Sequence, residues 1–142
     1  MENKLNITGA TLGLTAIVLG AFGAHALKDV LSLQQLATFE TGVKYQMYHA
    51  LFLLFLGVNN RISERSKKNI YYFISFGTLF FSGSIYLLST SNVTGINFKP
   101  IGIITPIGGL LLILGWGLFA KEFLFRSSEK SNLSMMVSRV SS

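Results

Sequence analysis

Four long apolar stretches, separated by short polar or charged segments, dictate what this chain can fold into. They cover residues 5–27, 41–58, 70–88 and 101–120. As an α-helix rising about 1.5 Å per residue, the first is roughly 34 Å long, enough to cross a hydrocarbon core of about 30 Å. Half of the 142 residues are hydrophobic and only 13% are charged, and the charges are nearly excluded from the apolar runs. A soluble domain of this length needs a far larger polar surface. The solvent implied for these stretches is lipid, where every backbone N–H and C=O must be bonded internally, as a helix does.

The expected architecture is an all-α, four-transmembrane-helix bundle filling residues 1–120. A basic, serine-rich tail follows over 121–142 and is expected to be mobile. The first run exceeds the usual apolar region of a signal peptide, about 7 to 15 residues, and lacks a positive cluster before it, so it reads as a retained span. Ser32 followed by Gln35 is a capping box that starts a helix at Leu33. Val30, Leu33, Leu36, Ala37 and Phe39 give that start an apolar side, a short amphipathic segment leading into the second span.

Orientation follows from sorting the positive charges. In a four-span arrangement Lys4, Arg61, Arg65, Lys67, Lys68, Lys121, Arg126, Lys130 and Arg139 fall on one side, and Lys28, Lys44 and Lys99 on the other, nine against three of the 12 bases. Short basic loops stay in the cytoplasm, which puts both ends of the chain there. The same sorting accounts for the net charge of +6 as topology and contact with anionic headgroups. Nucleic acid is not an expected partner, because the bases form no basic-aromatic platform.

Lipid tails are as apolar as leucine, so spans associate through close packing of small residues and a few polar contacts. On the first span Gly9, Gly13, Ala16, Gly20 and Ala24 recur at steps of three and four, one face of a helix. On the fourth, Gly102, Pro106, Gly109 and Gly117 repeat that spacing, interrupted by Ile113. The run Thr105, Pro106, Ile107, Gly108 and Gly109 is also a place where the fourth helix could weaken, the kind of break that transporters use.

The residues able to carry chemistry gather near the outer ends of the first two spans. At 100° per residue Gly42, Tyr45, Gln46 and His49 share one face with Leu53, Leu56 and Gly57, whereas Glu40, Lys44 and Tyr48 share the opposite one. Glu40 and Lys44 are expected to pair at the outer boundary and anchor the helix there, since a charge at the bilayer centre costs about 2.5 to 3.5 kcal/mol. His49 lies deeper and needs partners for both ring nitrogens. His25, Tyr45, Gln46 and His49 therefore form the candidate polar cluster, either an interhelical hydrogen-bond network or a proton-responsive or ligand-contacting site. Cysteine is absent, no HxxxH, ExxH or HExxH spacing occurs, and no nucleophile elbow is present. No metal or cofactor is expected, and no catalytic residue stands out.

Three stretches carry a family likeness: residues 20–27 (GAFGAHAL), 41–51 (TGVKYQMYHAL) and 105–117 (TPIGGLLLILGWG). In their order and spacing the chain resembles the small uncharacterised bacterial membrane-protein family typified by YgdD and YwdK, the domain of unknown function DUF 423. That resemblance implies a four-span protein of the bacterial inner membrane with no assigned activity, ligand or cofactor. The family's recurrent histidines match His25 and His49, and its proline-glycine turn matches Pro106, Gly108 and Gly109. The tail beyond Lys121 lies outside the pattern. The expected role is an accessory or scaffold protein packing with itself or a larger membrane partner. The alternatives are a minimal transporter or channel, and then a lipid-modifying enzyme.

Overall fold

The structure is a computed structural model that describes the backbone of residues 1–140 and the side chains of residues 1–125, 135 and 136. Among the described residues there are helices and no strands. Helix α1 (Glu2–Phe22) runs into a single wide π-helical turn, Gly23–Leu27. α2 (Leu33–Val58), α3 (Glu64–Ser89), a short α4 (Ser91–Thr94), a 3-10 segment (Lys99–Ile103) and α5 (Ile104–Val140) follow. Among the described residues, three segments are long and apolar enough to cross a membrane: Glu2–Leu27, Glu64–Ser89 and Lys99–Phe125. α2 is as long as α3, but Gln34, Gln35, Glu40, Lys44, Gln46 and His49 dilute its hydropathy.

Local chemistry sets most boundaries. Ser32 Oγ accepts from Gln35 N at 3.2 Å while Ser32 N donates to Gln35 Oε1 at 3.0 Å, so the capping box expected from the sequence starts α2. At the next connection Ser63 caps α3 by accepting from Ser66 N at 3.1 Å. Lys67, only 3% exposed, reaches back from α3 so that its Nζ donates to the Gly57 carbonyl at 3.1 Å. A cation there satisfies an orphan carbonyl of the last turn of α2 and meets the negative end of its dipole. Gly95, at φ +69°, ends α4 in the left-handed region that glycine enters without steric cost. Pro106 stands in the first turn of α5, where a missing N–H costs no intrahelical bond. The expected weak point inside the fourth helix is thus its beginning. No glycine or proline follows Gly117, and α5 continues without a break at residue 120 into the segment read as a tail.

The four long helices pack antiparallel. Gly9 of α1 lies under Ala50 and Leu54 of α2, and Gly20 under Val43. Gly42 of α2 faces Ile85 and Tyr86 of α3, and Gly77 of α3 faces Leu112 of α5. Gly9, Gly13 and Gly20 thus hold the contact face that the sequence assigned to them, with Ala16 fully buried between them. At the end of α1 the π turn brings Gly23, not Ala24, against the Phe39 ring.

The fourth helix differs from the sequence expectation. Its contact face is Thr105, Gly108, Leu112 and Gly115, about 100° round from the predicted stripe. A Cβ on Gly108 would strike the backbone of Phe81, and one on Gly115 would lie 2.8 Å from Ile74, whereas Gly102 and Gly117 face open space. Pro106 is exposed, and Gly109 only brushes the Phe81 ring at 3.7 Å. Both stripes have the right spacing, and the partner helix decides between them.

The apolar interior centres on Leu5, Leu53, Leu56, Ile70, Ile74 and Leu112, while a smaller cluster of Leu27, Leu31 and Phe39 closes the opposite end. Because the obstacle at Gly108 is backbone, Gly108→Ala should cost about 1–3 kcal/mol of stability through overpacking. Gly117→Ala should stay within about 0.5 kcal/mol, as a surface change does. Thermal or denaturant unfolding in detergent reads both, and equal values would contradict the α3–α5 contact.

Candidate functional site

α2 carries the chemistry because its inner face is polar at intervals of three and four residues. Gly42, Gln46, His49, Leu53, Leu56 and Gly57 are all buried, the face that the periodicity predicts, while Tyr45 at its edge stays 41% exposed. Gln46 is a hub between three helices. Its Nε2 donates to the Leu12 carbonyl at 2.9 Å and to Thr15 Oγ1 at 2.7 Å, both on α1. Its Oε1 accepts from the Tyr86 hydroxyl of α3 at 2.8 Å. Both amide protons and the carbonyl oxygen are therefore engaged.

His49, one turn further along, ties α2 to α5. Trp116 Nε1 donates to His49 Nε2 at 3.2 Å, and His49 Nδ1 lies 2.7 Å from the Tyr45 carbonyl. An indole N–H can only donate, so Nε2 is the acceptor. Nδ1 then carries the proton and donates to Tyr45, which defines one neutral tautomer. Around this bond Phe52 packs on Trp116 with centroids 4.3 Å apart, and Tyr45 packs on Phe81 at 4.8 Å. Tyr45, Tyr48, His49, Phe81, Ile113 and Trp116 line an open groove of about 860 Å³ between α2, α3 and α5. Its walls are apolar and aromatic, with the imidazole at the floor.

The other predicted residues lie elsewhere. His25 is exposed on the π turn, whose buried residues are Gly23 and Leu27, and it makes no hydrogen bond among the described residues. It does not join Gln46 and His49. Glu40 and Lys44 are both exposed and form no ion pair; among the described residues the ion pairs join Glu64 to Lys67 at 3.8 Å and to the Met1 amine at 3.2 Å. No three His, Asp or Glu side chains among the described residues come together in a way that would hold a metal ion.

The sequence reading missed a polar stripe on α3. Tyr71 and Tyr86, near the two ends of α3, turn inward: Tyr71 pairs with Thr8 of α1 at 3.0 Å, and Tyr86 with Gln46. Between them Ser75 Oγ, Thr78 Oγ1 and Ser82 Oγ are buried without a hydrogen-bond partner. The signal was the spacing itself, since residues 71, 75, 78, 82 and 86 step by four, three, four and four along one face.

The chain holds a single tryptophan, so its fluorescence reports the α2–α5 bond directly. His49→Leu removes the acceptor of the indole proton and should move the emission to shorter wavelength, with a stability loss of about 1 kcal/mol. His25→Leu should leave both unchanged. Identical emission from the parent and His49→Leu would refute the His49–Trp116 contact.

A family model described as "Protein of unknown function (DUF423)" matches residues 19–109. The UPF0382 membrane protein SSP2132 of Staphylococcus saprophyticus is 41% identical over 110 residues, covering 78% of this chain and 88% of its own length. The UPF0382 membrane protein YwdK of Bacillus subtilis is 38% identical over 112 residues, covering 78% and 87%. The UPF0382 inner membrane protein YgdD of Escherichia coli strain K12 is 35% identical over 115 residues, covering 79% and 82%. No solved structure matches. With a match across most of the helical region, several helices fit to cross a bilayer, and relatives named as membrane proteins, the chain belongs to the DUF423 family of bacterial membrane proteins of unknown function.

Proposed function

We propose that the chain is a four-span accessory protein of the inner membrane, with both ends in the cytoplasm, that works by packing against another membrane protein or a second copy of itself. For the span count, α2 runs antiparallel between α1 and α3 from Phe39 to Gly57, so it shares their depth. For the orientation, Met1, Arg61, Arg65, Lys67 and Lys68 cluster at one end of the bundle, where Ser66 Oγ also meets Glu122 at 2.6 Å.

The observation that carries the accessory reading is the engagement of the polar cluster. Gln46 and His49 use their donors and acceptors in joining α1, α2, α3 and α5, which gives neither residue a free donor for a substrate. The groove beside them offers a second membrane helix an aromatic wall with Gly109 set into it. A conduit for a proton or small solute is the second reading, and the unpartnered Ser75, Thr78 and Ser82 favour it. A lipid-modifying enzyme has no comparable support.

Topology is testable because the chain has no cysteine. An impermeant maleimide should label Asn92→Cys in intact cells and Arg61→Cys only after the membrane is opened; the reverse pattern would overturn the four-span orientation. For the role, a photo-crosslinking residue at Ile113 in native membranes should give a protein adduct of defined mass, lost when Gly109→Phe fills the groove. Absence of any protein adduct, together with a vesicle flux that Thr78→Val abolishes, would move the function to the conduit.

A further inference from the structure

A second cavity, of about 660 Å³, lies where the first turns of α1 and α3 meet, and its lining includes Lys4, Arg65, Lys68 and Tyr72. Glu64 also lines it, but both of its carboxylate oxygens face cations, Oε1 to Lys67 and Oε2 to the Met1 amine. Lys4, Arg65 and Lys68 form no ion pair among the described residues. Three cations thus converge on one cavity with the nearby acid already engaged. From its rim an aromatic ladder climbs the outside of α3: Tyr72, Phe76 and Phe80 are 42%, 50% and 37% exposed, with successive ring centroids 6.3 Å apart. The ladder climbs eight residue steps, a rise of about 12 Å toward the middle of the bilayer.

We propose that this cavity and ladder form a binding site for one anionic phospholipid. Its phosphate sits among Lys4, Arg65 and Lys68, and an acyl chain lies along Tyr72, Phe76 and Phe80. A guanidinium offers two parallel N–H donors to a phosphate, and the lysines add point charge. Tyr72 belongs at the headgroup level, where an amphipathic ring is at home. Charge alone would attract any polyanion, and an exposed aromatic stripe alone would face any lipid. Their continuity selects a molecule with an anionic head and an apolar tail. The inference needs only that the chain lies in a bilayer, and it stands whether or not the accessory role does.

The test is native mass spectrometry of the purified full chain from detergent, offered phosphatidylglycerol, phosphatidylcholine or inorganic phosphate. Phosphatidylglycerol should be retained and phosphatidylcholine should not. The triple variant Lys4→Gln, Arg65→Gln, Lys68→Gln should weaken retention about a hundredfold, at roughly 1 kcal/mol per base and tenfold per 1.4 kcal/mol. Phe76→Ala should weaken it less, and Lys44→Gln with Lys99→Gln at the other end should leave it unchanged. Trp116 emission confirms that each variant keeps its fold. Equal retention of the two lipids, or no effect of the triple variant, would overturn the site. Binding of inorganic phosphate that displaces the lipid, with Phe76→Ala silent, would overturn the lipid as its occupant.

Discussion

The Gln46 amide is the point on which the bundle turns. In lipid, two leucines gain little by leaving the bilayer for each other, so directional bonds and close backbone contact must hold helices together. Gln46 reaches Leu12 and Thr15 on one neighbour and Tyr86 on another, fixing the register of α1, α2 and α3 at a single level. His49 extends that register to α5 through Trp116. A slide of either neighbour along α2 would strand polar groups where no water can replace the lost partner.

Small residues make those bonds geometrically possible. Gly9 lets α1 approach the Ala50 carbonyl, and Gly42 makes room for the Tyr86 ring whose hydroxyl binds Gln46. Gly77, Gly108 and Gly115 do the same between α3 and α5. The polar network and the glycine contacts are two aspects of one device: glycine sets the distance, and the side-chain bond fixes the register. At the end of the bundle near Glu64, Lys67 plays a comparable part, closing the turn between α2 and α3 on the Gly57 carbonyl while holding Glu64.

A network so fully engaged bears on function. A histidine that must release or accept protons needs a free site, whereas His49 is held between an indole donor and a backbone acceptor. On the accessory role proposed above, surfaces rather than the interior are the places where this protein meets other molecules. The aromatic groove beside His49 and the basic cavity at the start of α3 lie on opposite faces of that account, one suited to a protein neighbour and one to a lipid.

The sequence alone determined the all-helical class, the membrane setting, the capping box at Ser32 and the inward face of α2. Each depends on local spacing and on the transfer cost of charge, which composition and periodicity record directly. Tertiary structure alone decided which stripe of α5 is the contact face, because Gly102, Pro106, Gly109 and Gly117 are spaced as well as Gly108, Leu112 and Gly115, and only the atoms that α3 presents, the Phe81 backbone, Gly77 and Ile74, distinguish them. It also decided that Tyr71 and Tyr86 point inward and that His25 stands apart. A tyrosine satisfies its hydroxyl as well at a headgroup as on a buried glutamine, and the choice depends on what a neighbouring helix brings within about 3 Å. Sequence periodicity gives the angle of a side chain about its own axis, but only packing says which partner occupies that direction.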